Sequence, residues 1–166
     1  VEYATSALRL SPASTAAWTL RARGRFILGD LDGTLADINE AVRLDPRRTD
    51  SYELRARVHE ACGDLDSALG DYERVIELDP KAGGGWLGRS RVRAAKGDLD
   101  GAVADVTKTI ELDPKNPDAY GLRGKLRQSR GDKDGAREDY QRALAVAAAD
   151  WKPRQKVEEA LKKLGE

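Results

Sequence analysis

A 34-residue internal repeat constrains this chain more than any other feature of its sequence. The tripeptide Leu-Asp-Pro recurs at that step, at residues 44–46, 78–80 and 112–114, and Leu-Ser-Pro takes its place at 10–12. A Gly-Asp pair keeps the same step at residues 29–30, 63–64, 97–98 and 131–132. An aromatic residue does so too, at Trp18, Tyr52, Trp86 and Tyr120. Three markers with one period predict a chain of tandem structural units.

Each repeat is predicted to form two helices. The stretch 15–28 ends at a Gly-Asp pair, where glycine suits a left-handed helix end and aspartate caps the next helix. The stretch 31–44 ends before a proline, which pushes the preceding residue out of the helical conformation. Small residues mark the positions where the paired helices approach closely: Ala22, Ala56, Ser90 and Gly124 on the first helices, and Thr34, Ala68, Ala102 and Ala136 on the second. Because neither helix can bury its apolar face alone, neighbouring repeats are expected to stack into an all-α solenoid.

With these markers the chain resembles the tetratricopeptide repeat family. The resemblance covers four repeats, 15–48, 49–82, 83–116 and 117–148, preceded by the second helix of a truncated repeat (1–14) and followed by a capping helix (149–166). It implies a right-handed α-solenoid of stacked antiparallel helix pairs. The sequence departs from the family where Leu is usual, at Arg21, Arg55, Arg89 and Arg123, and where Tyr is usual, at Arg25, His59, Arg93 and Arg127.

The overall composition argues against several classes of protein. Lys and Arg number 29, as do Asp and Glu, so no net charge suggests binding to nucleic acid or to a membrane. The single cysteine, Cys62, excludes an intramolecular disulfide and a metal site built only from cysteines. No apolar run reaches the roughly 18 residues that a membrane helix needs. The sequence begins at Val1 and contains no Met, so we expect a processed or excised fragment whose sequence leaves the presence of a targeting segment, and the compartment, open.

Arginine–aspartate pairs are predicted to join the two helices of every repeat. Arg occupies the seventh position of each repeat, and Asp follows sixteen residues later on the paired helix. A planar guanidinium suits bidentate pairing with a carboxylate. We therefore predict four partly buried structural salt bridges: Arg21–Asp37, Arg55–Asp71, Arg89–Asp105 and Arg123–Asp139.

A second set of cations lies two positions after those arginines, at Arg23, Arg57, Arg91 and Lys125. In the family that this chain resembles, this position lines the concave groove, and the contact positions nearby hold Phe26, Ile27 and Leu87. The resemblance therefore implies a peptide-binding groove that is basic and partly apolar, although Glu53 and Glu60 interrupt it. The alternatives are a solvated charged face for the cations and ordinary packing between repeats for the apolar residues.

The family's best-known peptide site grips a terminal carboxylate with Lys, Asn and Arg side chains. The matching positions here hold Thr19, Arg23, Leu54, Gly84 and Gly88. None of them is the family's residue, so the resemblance does not extend to that clamp.

Two features imitate catalytic or cofactor motifs. Residues 83–88 match the dinucleotide pattern G-x-G-x-x-G, but that pattern works only between a strand and a helix, and no strand is predicted. His59 is the only histidine, and the adjacent Glu60 points to a different side of the same helix. We predict that the protein is not an enzyme and has no cofactor and no metal site.

These observations predict a protein–protein interaction scaffold that binds an acidic or mixed peptide segment in a basic groove. One alternative is a structural or assembly role within a longer solenoid. An RNA-binding helical repeat is another, which the groove disfavours because it offers only Phe26 for base stacking. An apolar stripe on the N-terminal helix, formed by Val1, Ala4, Ala7 and Leu8, is predicted to be exposed and to support a weak homodimer.

Overall fold

The computed structural model describes residues 1–165, which form helices joined by short turns and contain no strand. In chain order the helices are α1 (Glu2–Leu10), α2 (Thr15–Ile27), α3 (Leu31–Leu44), α4 (Thr49–Cys62), α5 (Leu65–Leu78), α6 (Gly83–Ala95), α7 (Leu99–Leu112), α8 (Pro117–Ser129), α9 (Lys133–Val146) and α10 (Arg154–Gly165). The predicted all-α class is confirmed, and each repeat contributes one helix pair joined by a tight turn.

The turn inside each repeat is built by the recurring Gly-Asp pair. The glycines, which include Gly29 and Gly63, have φ between +77° and +88°, a region that favours glycine. The aspartate that follows caps the second helix, and the Asp30 carboxylate accepts a hydrogen bond from the Gly33 N–H at 2.9 Å. Since both residues belong to the repeated pair, every repeat turns in the same way.

The chain divides into two compact units, and each has its own core. The first unit, Val1–Pro80, contains α1–α5 and a cluster around Ala22, Ile38 and Leu54. The second unit begins at Lys81 and contains α6–α10. Its third and fourth repeats share a cluster that contains Val106 and Leu126.

Small residues lie where the paired helices meet, at the positions expected from the sequence. Seven of these positions are fully buried: Ala22, Thr34, Ala56, Ala68, Ser90, Ala102 and Ala136. At the eighth, Gly124, an added Cβ would lie 2.7 Å from the Tyr140 ring. A larger residue there would force the two helices of the fourth repeat apart.

Helix α10 covers the apolar face of the fourth repeat. Val157 and Leu164 are buried in a cluster with Tyr140 and Ala143, and Ala160 and Leu161 pack against it. An amphipathic terminal helix of this kind is what a repeat protein needs at its end. Glu166, the last residue of the predicted 149–166 capping segment, lies outside the described residues.

The apolar stripe predicted to be exposed on α1 is wrong in part. Ala4 and Leu8 are 2% and 7% exposed, because α1 packs on α2. Val1, which is about half exposed, and Ala7 are exposed as predicted, and the most exposed large hydrophobic side chains of this helix are Tyr3 and Leu10. The predicted homodimer therefore cannot rest on Ala4 and Leu8.

Candidate functional site

In each repeat an arginine on the first helix pairs with an aspartate on the second. The Nη2–Oδ1 distance is 2.7 Å for Arg21–Asp37, Arg55–Asp71 and Arg123–Asp139, and 2.8 Å for Arg89–Asp105. The Nε of the same arginine donates to the other carboxylate oxygen at 2.8–2.9 Å, so each pair is bidentate. The hydrogen bond to the carboxylate raises the pKa of the Arg21 and Arg55 guanidinium groups. These pairs join helices and line neither of the two cavities described below.

A second arginine, which the sequence analysis did not assign to pairing, reaches the same carboxylate in three repeats. The Nη1–carboxylate distances are 2.9 Å for Arg25–Asp37 and 3.0 Å for Arg93–Asp105 and Arg127–Asp139. The recurrence of arginine at the 34-residue step was a signal in the sequence that could have revealed these ion pairs. In the family, this position is usually a tyrosine. These three arginines on the first helices therefore pair with aspartates of the scaffold and are not counted among the cations of a binding groove.

The second repeat has a histidine at this position. His59 Nε2 lies 3.9 Å from Asp71 and Nδ1 lies 3.6 Å from the capping carboxylate of Asp64. The distance to Asp71 is longer than the 2.9–3.0 Å contacts that arginine makes with the buried carboxylate in the other repeats. The distance to Asp64 matches the 3.6–3.8 Å contacts between arginine and the capping aspartate in those repeats. The imidazole therefore occupies the arginine's place without making its close ion pair.

The first unit has a cavity of about 320 Å³ between α2 and α4, which we call cavity 1. Two of its residues carry positive charge, two carry negative charge and three are apolar: Arg23, Arg57, Asp50, Glu53, Phe26, Ile27 and Leu54. Four of the seven predicted groove residues thus lie together. Asp50 and Leu54 were missed as groove residues, since an aspartate recurs at the first position only in the fourth repeat, at Asp118, and Leu54 is buried.

The charges in cavity 1 are already engaged with one another. Asp50 Oδ2 lies 3.1 Å from Arg23 Nη2, and the same carboxylate accepts two hydrogen bonds from Arg48 at 2.6 and 3.0 Å. The Arg57 guanidinium stacks 4.9 Å above the centre of the Phe26 ring. This part of the predicted groove is therefore balanced in charge, not basic.

Glu53 is the half-buried acid of cavity 1. Burial raises the pKa of its carboxyl, with a further rise from Asp50, while Arg23 and Arg57 lower it. The environment of Glu53 therefore compensates its charge only in part.

The second unit has a larger cavity, of about 400 Å³, which we call cavity 2. Its lining carries two exposed cations, Arg91 on α6 and Lys125 on α8, and no carboxylate. The rest of the lining is apolar or small: Ala94, Ala95, Leu99, Leu122, Leu126 and Ser129. Two positive charges beside an apolar wall suit an acidic side chain next to an aliphatic one.

The three predicted apolar contact residues have different environments. Phe26 is half-buried and packs against the core of the first unit, while Ile27 is 83% exposed at the edge of cavity 1. Leu87 packs against the cluster of Ala102 and Val106 and does not line cavity 2. The binding roles of these residues stay predictions.

Within residues 1–165, no group of three or more His, Cys, Asp and Glu side chains is placed to hold a metal ion. The same residues include no helix with the length and apolarity needed to cross a membrane.

Comparison with known proteins links the repeat to one family. A family model described as tetratricopeptide repeat matches residues 19–83, 53–117 and 87–152. A comparison with curated protein sequences found no match.

Solved structures with this fold share little sequence with the chain. A thermophilic TPR protein of Thermus thermophilus has a TM-score of 0.82 and 24% identity, over 96% of this chain and 87% of that one. MamA has a TM-score of 0.77 and 19% identity over the same shares. The first TPR of Spaghetti, bound to an HSP90 peptide, has a TM-score of 0.68 and 20% identity, over 70% of this chain and 93% of that one.

Proposed function

Because the chain belongs to the tetratricopeptide repeat family, whose members are generally non-enzymatic scaffolds, we propose that it binds an acidic or mixed segment of a partner polypeptide on its first-helix faces. The observation that carries the proposal is cavity 2. Its lining combines two cations, Arg91 and Lys125, with an apolar wall that includes Leu99, Leu122 and Leu126.

Charge complementarity selects the acidic class of ligand. A carboxylate between Arg91 and Lys125 gains from both cations, whereas a lysine or arginine there meets two like charges. The apolar wall adds affinity in proportion to the aliphatic surface that it covers. A segment with alternating acidic and aliphatic residues satisfies both parts of the cavity.

One structural neighbour offers a parallel. The peptide bound to the first TPR of Spaghetti, SRMEEVD, is acidic and also contains apolar residues. The carboxylate-clamp residues of the family are absent here, at Thr19, Leu54, Gly84 and Gly88 among others, so the parallel concerns the class of ligand and not that mode of binding.

A peptide titration tests the proposal. The probe is acetyl-Gly-Glu-Leu-Glu-Gly-amide, followed by NMR through the backbone amides of α6 and α8. We expect shifts around Leu122 and Lys125, and binding that weakens several-fold from about 0.05 M to about 0.5 M NaCl, because salt screens exposed charges. An R91E/K125E variant is expected to bind at least about 10-fold more weakly.

A matched control separates local recognition from net charge. The K115E/K133E variant changes the total charge by the same amount at exposed positions outside cavity 2. It is expected to keep most of the affinity. Equal loss in both variants, or no shifts on α6 and α8, would overturn the proposal.

A further inference from the structure

We propose that cavity 1 receives a large uncharged side chain of the partner, a phenylalanine or a leucine, and that Glu53 keeps acidic side chains out of it. The inference rests on the proposed function, since it assigns a second and different specificity to the same scaffold. It concerns only the first unit and the residues of α2 and α4.

The repeats of this chain differ from one another at the position of Ile27. Ile27 corresponds to Ala61, Ala95 and Ser129 in the later repeats, so the fold does not need a large apolar residue there. Yet Ile27 is 83% exposed at the edge of cavity 1. A large apolar side chain left in water at a position where alanine suffices indicates a contact with another molecule.

At the neighbouring position, residue 26, the first repeat again has a larger apolar side chain than the other repeats. Phe26 corresponds to Glu60, Ala94 and Gln128. Glu60 and Gln128 accept hydrogen bonds from the hydroxyl groups of Tyr72 and Tyr140 in their own repeats. Phe26 instead presents a ring to cavity 1, so the first repeat replaces a polar internal contact by an apolar wall.

Contacts within the cavity hold that wall in place. The Arg57 guanidinium lies 4.9 Å from the Phe26 ring centre, and Phe26 also packs against the core of the first unit. Leu54, which is 4% exposed, completes the apolar floor. Phe26, Ile27 and Leu54 therefore form one apolar surface that an aromatic or branched side chain can cover.

The charges of cavity 1 favour an uncharged occupant. Two guanidinium groups and two carboxylates line it, and Arg23 and Arg48 both hold the Asp50 carboxylate. An incoming carboxylate would lie close to Glu53, whereas an incoming cation would lie close to Arg23 and Arg57. An apolar side chain avoids both costs and covers the exposed Ile27.

The position of Glu53 sets this site apart from the other repeats. The equivalent positions hold Thr19, Leu87 and Gly121, so a carboxylate occurs here alone among the four repeats. Burial and Asp50 raise the pKa of its carboxyl, which means that its negative charge is poorly solvated. A second carboxylate placed beside it would be repelled more strongly than in water.

Two short peptides that differ in one residue test the inference. They are acetyl-Ser-Gly-Phe-Gly-Ser-amide and acetyl-Ser-Gly-Glu-Gly-Ser-amide, titrated into the whole chain with NMR detection at the methyl groups of Ile27 and Leu54. We expect the Phe peptide to shift both signals and the Glu peptide to shift neither. An I27A variant, which copies the second and third repeats, is expected to bind the Phe peptide roughly five- to tenfold more weakly, because it loses apolar contact area.

The Glu53→Gln variant tests the exclusion of acids separately. It removes one negative charge, so the Glu peptide is expected to bind to cavity 1 of this variant, and the preference for the Phe peptide over the Glu peptide is expected to fall. The inference is overturned if the Phe peptide leaves Ile27 and Leu54 unshifted, or if I27A binds it as well as the wild type does. It is equally overturned if the wild type binds the Glu peptide at cavity 1.

Failure here is distinguishable from failure of the proposed function. The acetyl-Gly-Glu-Leu-Glu-Gly-amide titration reports on α6 and α8 of the second unit, and the present one reports on α2 and α4 of the first. Shifts at Leu122 and Lys125 together with none at Ile27 would reject the inference and keep the proposed function.

Discussion

The Asp71 carboxylate accepts two hydrogen bonds from Arg55, with distances of 2.9 Å to Nε and 2.7 Å to Nη2. Asp71 is 6% exposed, so this ion pair lies inside the contact between α4 and α5. The Asp71→Ala change leaves the guanidinium between the helices without its counter-charge. We expect the free energy of unfolding, measured by urea denaturation, to fall by about 3 kcal/mol.

An exposed ion pair of the same unit provides the control for that measurement. Arg74 and Glu77 lie 2.9 Å apart on the surface of α5. Because exposed pairs contribute little, Glu77→Ala is expected to leave the free energy of unfolding close to that of the wild type. A wild-type denaturation midpoint for Asp71→Ala would remove the structural role assigned to the pair.

The histidine of the second repeat is predicted to stabilise the protein less than an arginine at the same position would. In the other repeats the arginine at this position approaches the buried carboxylate to 2.9–3.0 Å and donates to a backbone carbonyl, as Arg25 does to Gly33 at 3.0 Å. His59 comes no closer than 3.9 Å to Asp71. We expect His59→Arg to raise the free energy of unfolding by about 1 kcal/mol, and His59→Ala to lower it. A destabilised His59→Arg protein would show that the second repeat cannot accommodate the guanidinium.

Local signals in the sequence were sufficient to predict the helices and their turns. Gly29 acts through its own backbone conformation, and Asp30 acts by capping the helix that begins at the next residue. Because both effects are local, each copy of the pair in the sequence predicts the same turn in the structure. The Arg21–Asp37 pairing was equally accessible, because both residues recur at one step and belong to adjacent helices.

The contents of cavity 1 could not be predicted in the same way. Asp50 of the second repeat accepts a hydrogen bond from Arg23 of the first repeat, and the two residues are 27 positions apart in the sequence. No aspartate recurs at the position of Asp50 in all four repeats. Which charges neutralise one another depends on side-chain conformations that the repeat pattern does not specify. The pattern therefore located the face of the helices that holds the cavity but overestimated its positive charge.

The pH dependence of stability is expected to depend on Glu53. Burial and Asp50 raise the pKa of its carboxyl above the ordinary value of 4.5, so the folded state binds this proton more readily than the unfolded state. The resulting stabilisation is present below pH 4.5 and is lost as the pH rises through the folded-state pKa. At about pH 7 the Glu53→Gln protein should therefore be more stable than the wild type, and the difference should shrink towards pH 4.5. Urea denaturation of both proteins at several pH values measures it, and a constant difference would contradict the account.

Weak self-association through the N-terminal end of the chain stays a prediction, now based on different residues. Tyr3, Leu10 and Leu20 are 92%, 89% and 59% exposed. Exposed apolar side chains favour association, so we expect the sedimentation coefficient to rise with protein concentration and to rise less in an L10S/L20S variant. A wild-type protein that sediments as a monomer at every concentration would reject the homodimer.

A charge swap at cavity 2 tests the central claim most directly. The measurement is the affinity of the wild type and of R91E/K125E for acetyl-Gly-Glu-Leu-Glu-Gly-amide and for its counterpart with lysine in place of both glutamates. If Arg91 and Lys125 recognise acidic segments, the wild type prefers the glutamate peptide and the variant prefers the lysine peptide, each by about 10-fold or more. If both proteins show the same preference, or neither peptide binds to the wild type, the two cations are solvated surface and the proposed function is wrong.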